Sequence, residues 1–87
     1  MEVIDITQTC GACPSQWEGK LKDGRMFYAR YRWGFLSIEI SKQPTDDIRM
    51  AMEEQVYGEQ LGDGFDGVLS ENTLKEKMIE SGFTFEL

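Results

Sequence analysis

Residues 15–41 alternate apolar and polar side chains across two short turn signals, Asp23-Gly24 and Trp33-Gly34. A period of two belongs to strands that bury one face. A turn at Trp33-Gly34 pairs Arg32 with Phe35 and sets Tyr31 opposite Leu36, Ala29 opposite Ile38 and Phe27 opposite Ile40. The first turn has two readings. A two-residue Asp23-Gly24 turn would pair Leu21 with Met26 and put Arg30 on the side of Trp17 and Leu21. A three-residue loop, Lys22-Asp23-Gly24, with Gly24 left-handed in a bulge, pairs Leu21 with Arg25, Gly19 with Phe27 and Trp17 with Ala29. The bulged register gathers Trp17, Leu21, Phe27, Ala29 and Tyr31 on one face, and a one-residue slip would turn each of them over. The pattern therefore predicts three antiparallel strands, about 15–22, 25–32 and 35–41.

The flanking segments are read around this meander. Val3, Ile4 and Ile6 suggest a short first strand, and TQTCGACPS reads as a loop broken by Gly11 and Pro14. Thr45, followed by Asp46 and Asp47, suits a helix start, and Ile48, Ala51, Met52 and Val56 recur at helical spacing, so a helix is predicted over about 46–56. GEQLGDGFDG has four glycines in ten residues and reads as a turn-rich loop. Ser70 is placed to cap a second helix over about 71–81, with Leu69 and Leu74 at the positions of a hydrophobic staple and Gly82 as terminator. Phe83, Phe85 and Leu87 alternate as in a last strand. The expected fold class is α+β: an antiparallel sheet built on the three-strand meander, with both helices on one face.

At 87 residues the chain is read as a single domain, 1–87, with a modest core. No basic segment followed by an apolar one opens the chain, and no apolar run approaches the ~18 residues of a membrane span. A cytoplasmic protein with no membrane contact is expected. The net charge is -7, unevenly spread: residues 1–43 hold six Lys or Arg and five Asp or Glu, whereas residues 44–87 hold three and eleven. General attraction to nucleic acid is excluded by that sign, so direct nucleic-acid binding is not expected. A local anion site in the near-neutral half is compatible with it.

The outward face of the meander supplies the candidate site. Gln16, Glu18, Lys20, Met26, Tyr28, Arg30, Arg32, Phe35, Ser37 and Glu39 share it, with Gln16 opposite Arg30 and Tyr28 beside Glu39. One reading is a solvated wall of cross-strand charge pairs, each contributing about 0.2–1 kcal/mol. The other is a recognition face through Tyr28, Arg30, Arg32, Trp33, Gln16 and Glu39, because Arg forks hold carboxylate or phosphate and Tyr and Trp anchor partners. Trp33 at a turn is hard to bury.

Cys10 and Cys13 have the spacing of a metal knuckle or a redox pair. With no His and no other Cys, the chain holds no complete site of cysteine and histidine by itself, so no cofactor is expected. A metal shared by two chains, or thiol redox chemistry, stays open beside the plainer reading of two thiols at a turn. DGFDG departs from a calcium loop at three positions and reads as a turn. No His is present for acid–base work and no carboxylate pair stands out, so no catalytic residue is assigned and an enzyme is not expected.

CGACPSQWEG and DGRMFYARYRWGFLSI, with a fainter echo in YGEQLGDGFDG, are similar to segments of a group of small proteins from bacteria and their phages. The likeness covers about residues 9–40 and brings no activity or catalytic residue with it. It implies a compact accessory protein, phage-encoded, of the kind that binds and inhibits a host component such as a defence system. The expected function is thus a small non-catalytic binding protein whose partner is a host protein or a small anionic ligand, with self-association open. Two alternatives stand beside it: an acidic nucleic-acid mimic using residues 44–87, and a thiol-redox or shared-metal protein using Cys10 and Cys13.

Overall fold

The computed structural model describes residues 1–12, 14–64 and 66–85. Six strands form one sheet: β1 (Glu2–Gly11), β2 (Ser15–Leu21), β3 (Met26–Arg32), β4 (Phe35–Ile40), β5 (Glu54–Gln60) and β6 (Thr84–Phe85). Their order is β5-β4-β3-β2-β1-β6, antiparallel throughout except for the parallel β1–β6 pair. A single α-helix among the described residues, α1 (Glu71–Glu80), and a 3-10 turn at Ile48–Met52 complete the chain.

The pairings within residues 15–41 follow the alternation of the sequence. Gln16 faces Arg30, Trp17 faces Ala29 and Gly19 faces Phe27, while Tyr31 faces Leu36 and Ala29 faces Ile38. At the first turn Gly24 N–H donates to Leu21 O and Leu21 N–H donates to Arg25 O, with Gly24 at φ 93. That is the bulged loop, and its left-handed residue falls where no Cβ resists it.

The expected architecture of a three-strand meander with two helices does not hold. The sheet is mixed and twice as wide, and the helix predicted over 46–56 is absent. In its place Ile48–Met52 make a short 3-10 turn capped by Asp47, and Glu54–Gln60 run as a strand along β4. The outer edge of β4 offers a ladder of backbone groups, which outweighs a weak helical spacing. A bulge explains why the strand pattern was hidden. Ile38 pairs with Tyr57 and Glu39 with Gln55, so Val56 is the extra residue, and two consecutive apolar side chains lie against the core. The first strand is also longer than Val3–Ile6 suggests. It continues through the predicted loop to Gly11, with Cys10 facing Gln16. In the last strand Phe85 pairs with Val3, while Leu87 lies outside the described residues.

α1 covers one face of the sheet. Leu74 and Met78 are buried against Trp17, Leu21, Phe27, Leu36 and Phe83. Burial of each such side chain contributes about 1.5–3 kcal/mol. Both helix ends are closed. Ser70 Oγ accepts from Thr73 N–H, and past the last turn Gly82 N–H donates to Ile79 O and Phe83 N–H to Met78 O. This Schellman arrangement turns the chain back so that Phe83 meets Phe27 at 6.3 Å between rings and β6 reaches β1. No helix among the described residues is long and apolar enough to cross a membrane.

Candidate functional site

The outward face of β2, β3 and β4, with the turn after β3, holds the site residues suggested by the sequence, but they divide into two groups. The first is a row in the middle of the sheet. Tyr28 lies between Glu18 and Glu39, and Gln16 lies beside Arg30. Tyr28 is only 8% exposed, although it points away from α1. Ala51 of the 3-10 turn is buried too, and like Tyr28 it stands outside the cluster that fills the α1 side. The 3-10 turn packs on β3 and β4, and Asp46, just before it, pairs with Lys20 of the same outward face. Residues 41–53 therefore roof part of this face over Tyr28. Burial, aided by the Glu39 charge, pushes the Tyr28 hydroxyl up, while Arg30 and Gln16 beside it act the other way. Gln16 and Glu39 are half-buried in the same row.

The second group stands at the turn end of the β3–β4 hairpin. Arg30 and Arg32 are exposed, and the Arg32 guanidinium lies 4.9 Å from the Trp33 ring centroid. Trp33 is 61% exposed. Phe35, paired with Arg32 and so on the same face, is 38% exposed and lies across Gly58 of β5. The result is a strip of two cations and two aromatic rings.

Charge pairing marks the strip. Lys20, Lys22, Arg25, Arg49, Lys75 and Lys77 each contact a carboxylate. Arg30 and Arg32, together with Lys42 in the segment after β4, have no such contact among the described residues, in a chain with sixteen acids. Arg30 also touches Tyr28 and Arg32 lies over Trp33, but two guanidiniums without a carboxylate contact, 2 residues apart on one strand, can each fork onto a carboxylate or phosphate.

Backbone conformation marks it again. Trp33 has φ 57 and Gly34 φ 73, a turn whose first central position ordinarily takes Asn, Asp or Gly. A bulky residue at positive φ is costly and is held there by its surroundings. Gln60 Nε2 donates to Trp33 O (2.9 Å), Gly34 N–H donates to Asp66 O (2.7 Å), and Leu61 N–H donates to Gly34 O (2.8 Å). Below them Tyr31 Oη donates to Asp66 Oδ2. The loop between β5 and α1 thus clamps the turn and leaves the indole outside.

Phe35, Gln60 and Asp66 were not singled out by the sequence. An outward-facing aromatic next to Arg32 in register was a legible signal for Phe35. Gln60 and Asp66 come from a distant loop and carried none.

Cys10 lies near the end of β1 rather than in a loop, half-buried, with Sγ 3.5 Å from Ala12 O. Cys13 lies outside the described residues. Among the described residues no group of three or more His, Cys, Asp or Glu side chains is arranged to hold a metal. No family model matches the chain, and no curated protein or solved structure shows significant similarity to it.

Proposed function

We propose that the protein is a non-catalytic binding module that docks through Arg30, Arg32, Trp33 and Phe35 on an acidic surface of a partner protein. The observation that carries this reading is the pair of arginines without carboxylate partners beside an indole held outward at positive φ. Exposed Arg and Trp are the side chains that most often anchor protein interfaces. The strip is an exposed hairpin turn whose indole projects outward, a shape suited to another surface more than to an enclosed small anion. The acidic alternative draws less support. Asp46, Asp47, Glu59, Glu71 and Glu80 already contact Lys or Arg side chains, so fewer carboxylates of the acidic half are free to imitate a phosphate array.

The test is affinity capture with three proteins: wild type, Arg30→Ala/Arg32→Ala, and Glu53→Lys/Glu54→Lys. Loss of a stoichiometric partner from the first double variant, with retention by the second, supports the arginine strip. The reverse pattern assigns binding to the acidic half.

A further inference from the structure

Arg30 and Arg32 stand on an inner strand. β3 pairs with β2 on one side and β4 on the other, and β4 pairs with β5 beyond it. The backbone groups beneath the strip are therefore bonded within the sheet, and a docking segment meets side chains instead of a free strand edge. Gln16, Arg30, Ser37 and Gly58 form one row across the strands, and Arg32 with Phe35 begins the next. Residues 41–53 roof the row of Tyr28 and leave these two open, with Arg30, Arg32, Phe35 and Gly58 exposed. The row under the roof has the opposite charge, since Glu18 and Glu39 flank Tyr28 there.

We infer that the partner presents an acidic amphipathic α-helix to the strip, laid along β3, with two carboxylates one turn apart on Arg30 and Arg32 and an apolar side chain against Trp33 and Phe35. The inference rests on the binding reading above and names the element that binds. Three observations select this occupant. The first is the placement of the strip on the face of the sheet. Buried backbone N–H groups need acceptors, and guanidiniums accept nothing, so an extended segment lying flat here would leave its N–H groups unpaired on the buried side. A helix bonds its own backbone and needs only side-chain contacts. The second is charge and spacing. Arg30 and Arg32 have no carboxylate contact among the described residues, and positions two apart on a strand advance about 6.8 Å. Carboxylates at i and i+4 of a helix are separated by about 6 Å along its axis, so one turn matches the two arginines. The third is the limit set by the next row. Glu18 and Glu39 lie one step past Arg30 toward the roof, where a further carboxylate would be repelled. The helix is therefore acidic over the strip and neutral or basic beyond it.

The test uses the full chain and a displayed library of linear peptides of about 16 residues, long enough for roughly four helical turns. Peptides are selected on the wild type and counter-selected on Arg30→Ala/Arg32→Ala. Enriched peptides are expected to carry two acids three or four positions apart with an apolar residue between them, and no third acid beyond one end of the pair. Proline at the centre of such a peptide is expected to weaken binding at least about tenfold. Ser37→Glu is the second variant. It sets a carboxylate opposite Arg30 in the strand register, a favourable cross-strand pair for the fold, and by occupying the guanidinium it is expected to weaken the same peptides at least about tenfold. The helix is overturned by enriched peptides whose acids alternate or keep no fixed spacing, by binding that tolerates the central proline or Ser37→Glu, or by an absence of arginine-dependent peptides. The binding reading is decided separately by affinity capture. A captured partner that depends on Arg30 and Arg32 keeps that reading while any of these outcomes removes the helix, and a partner indifferent to both arginines removes the two together.

Discussion

Tyr31 Oη donates a 2.6 Å hydrogen bond to Asp66 Oδ2. The contact links the end of β3 to the loop that leads into α1, across 35 residues of sequence. Asp66 O also receives the Gly34 N–H, so one residue holds both the strand and the turn that presents Trp33. Tyr31→Phe removes the donor and leaves a half-buried carboxylate short of one partner. Hydrogen bonds to charged groups contribute about 1.5–3 kcal/mol. The expected result is a loss in that range by urea denaturation.

The same hydroxyl sets a limit at high pH. Burial, then the bond to Asp66, pushes the Tyr31 hydroxyl up to about 12, and burial with the Glu59 bond does the same for Tyr57. In the unfolded chain tyrosine ionises near pH 10. The folded state therefore holds these protons more tightly. Their stabilisation is complete below about pH 10 and is lost as pH rises through about 12. Melting temperature should be level up to about pH 9.5 and fall beyond pH 10. Tyr31→Phe should make that fall shallower; an unchanged slope would place the alkaline sensitivity elsewhere.

Trp33 at φ 57 predicts a conflict between stability and binding. Asn adopts the left-handed region with less strain than Trp and suits this turn. Trp33→Asn should leave stability unchanged or raise it by up to about 1 kcal/mol, while partner capture falls. A clear destabilisation would show that the indole packs for folding.

At Gly34 the opposite holds. Its φ is 73, and a Cβ there would collide with Asp63 O and lie 2.5 Å from Gly62 O. Both obstacles are backbone, so neither can move aside cheaply. Gly34→Ala should cost more than about 2 kcal/mol, combining strain with displacement of the clamping loop.

The first turn offers a matched pair of substitutions. Asp23 accepts from Arg25 N–H at 3.0 Å and Arg25 Nε at 2.7 Å, and the backbone bond with the Arg25 cation holds its carboxyl below the usual range. Asp23 is open to solvent and Arg25 half-buried, so Asp23→Ala should cost under about 1 kcal/mol. Gly24→Val forces a β-branched residue to φ 93 with Pro44 at 3.1 Å, and should cost clearly more. Equal melting points for the two variants would contradict the bulged geometry.

Local chemistry was sufficient to specify the register of β2, β3 and β4, because each turn joins adjacent strands and one slip exposes Trp17, Phe27 and Tyr31 together. It was also sufficient for α1, whose Ser70 cap and Gly82 terminator lie within the helix's own ends. β5 was decided by its neighbour. Residues 54–60 carry no clean alternation, since the bulge at Val56 breaks it, and what makes them a strand is the open ladder of β4. The burial of Tyr28 is of the same kind: nothing within β3 distinguishes it from Arg30, and only the roof formed by residues 41–53 separates the covered tyrosine from the exposed arginine. Clamping of Trp33 by Gln60 and Asp66 likewise depends on a loop nearly thirty residues away or more. Turn residues and alternation act over a few bonds and can be read along the chain. Edge pairing and face covering exist only once distant segments meet, because the groups they satisfy belong to other elements.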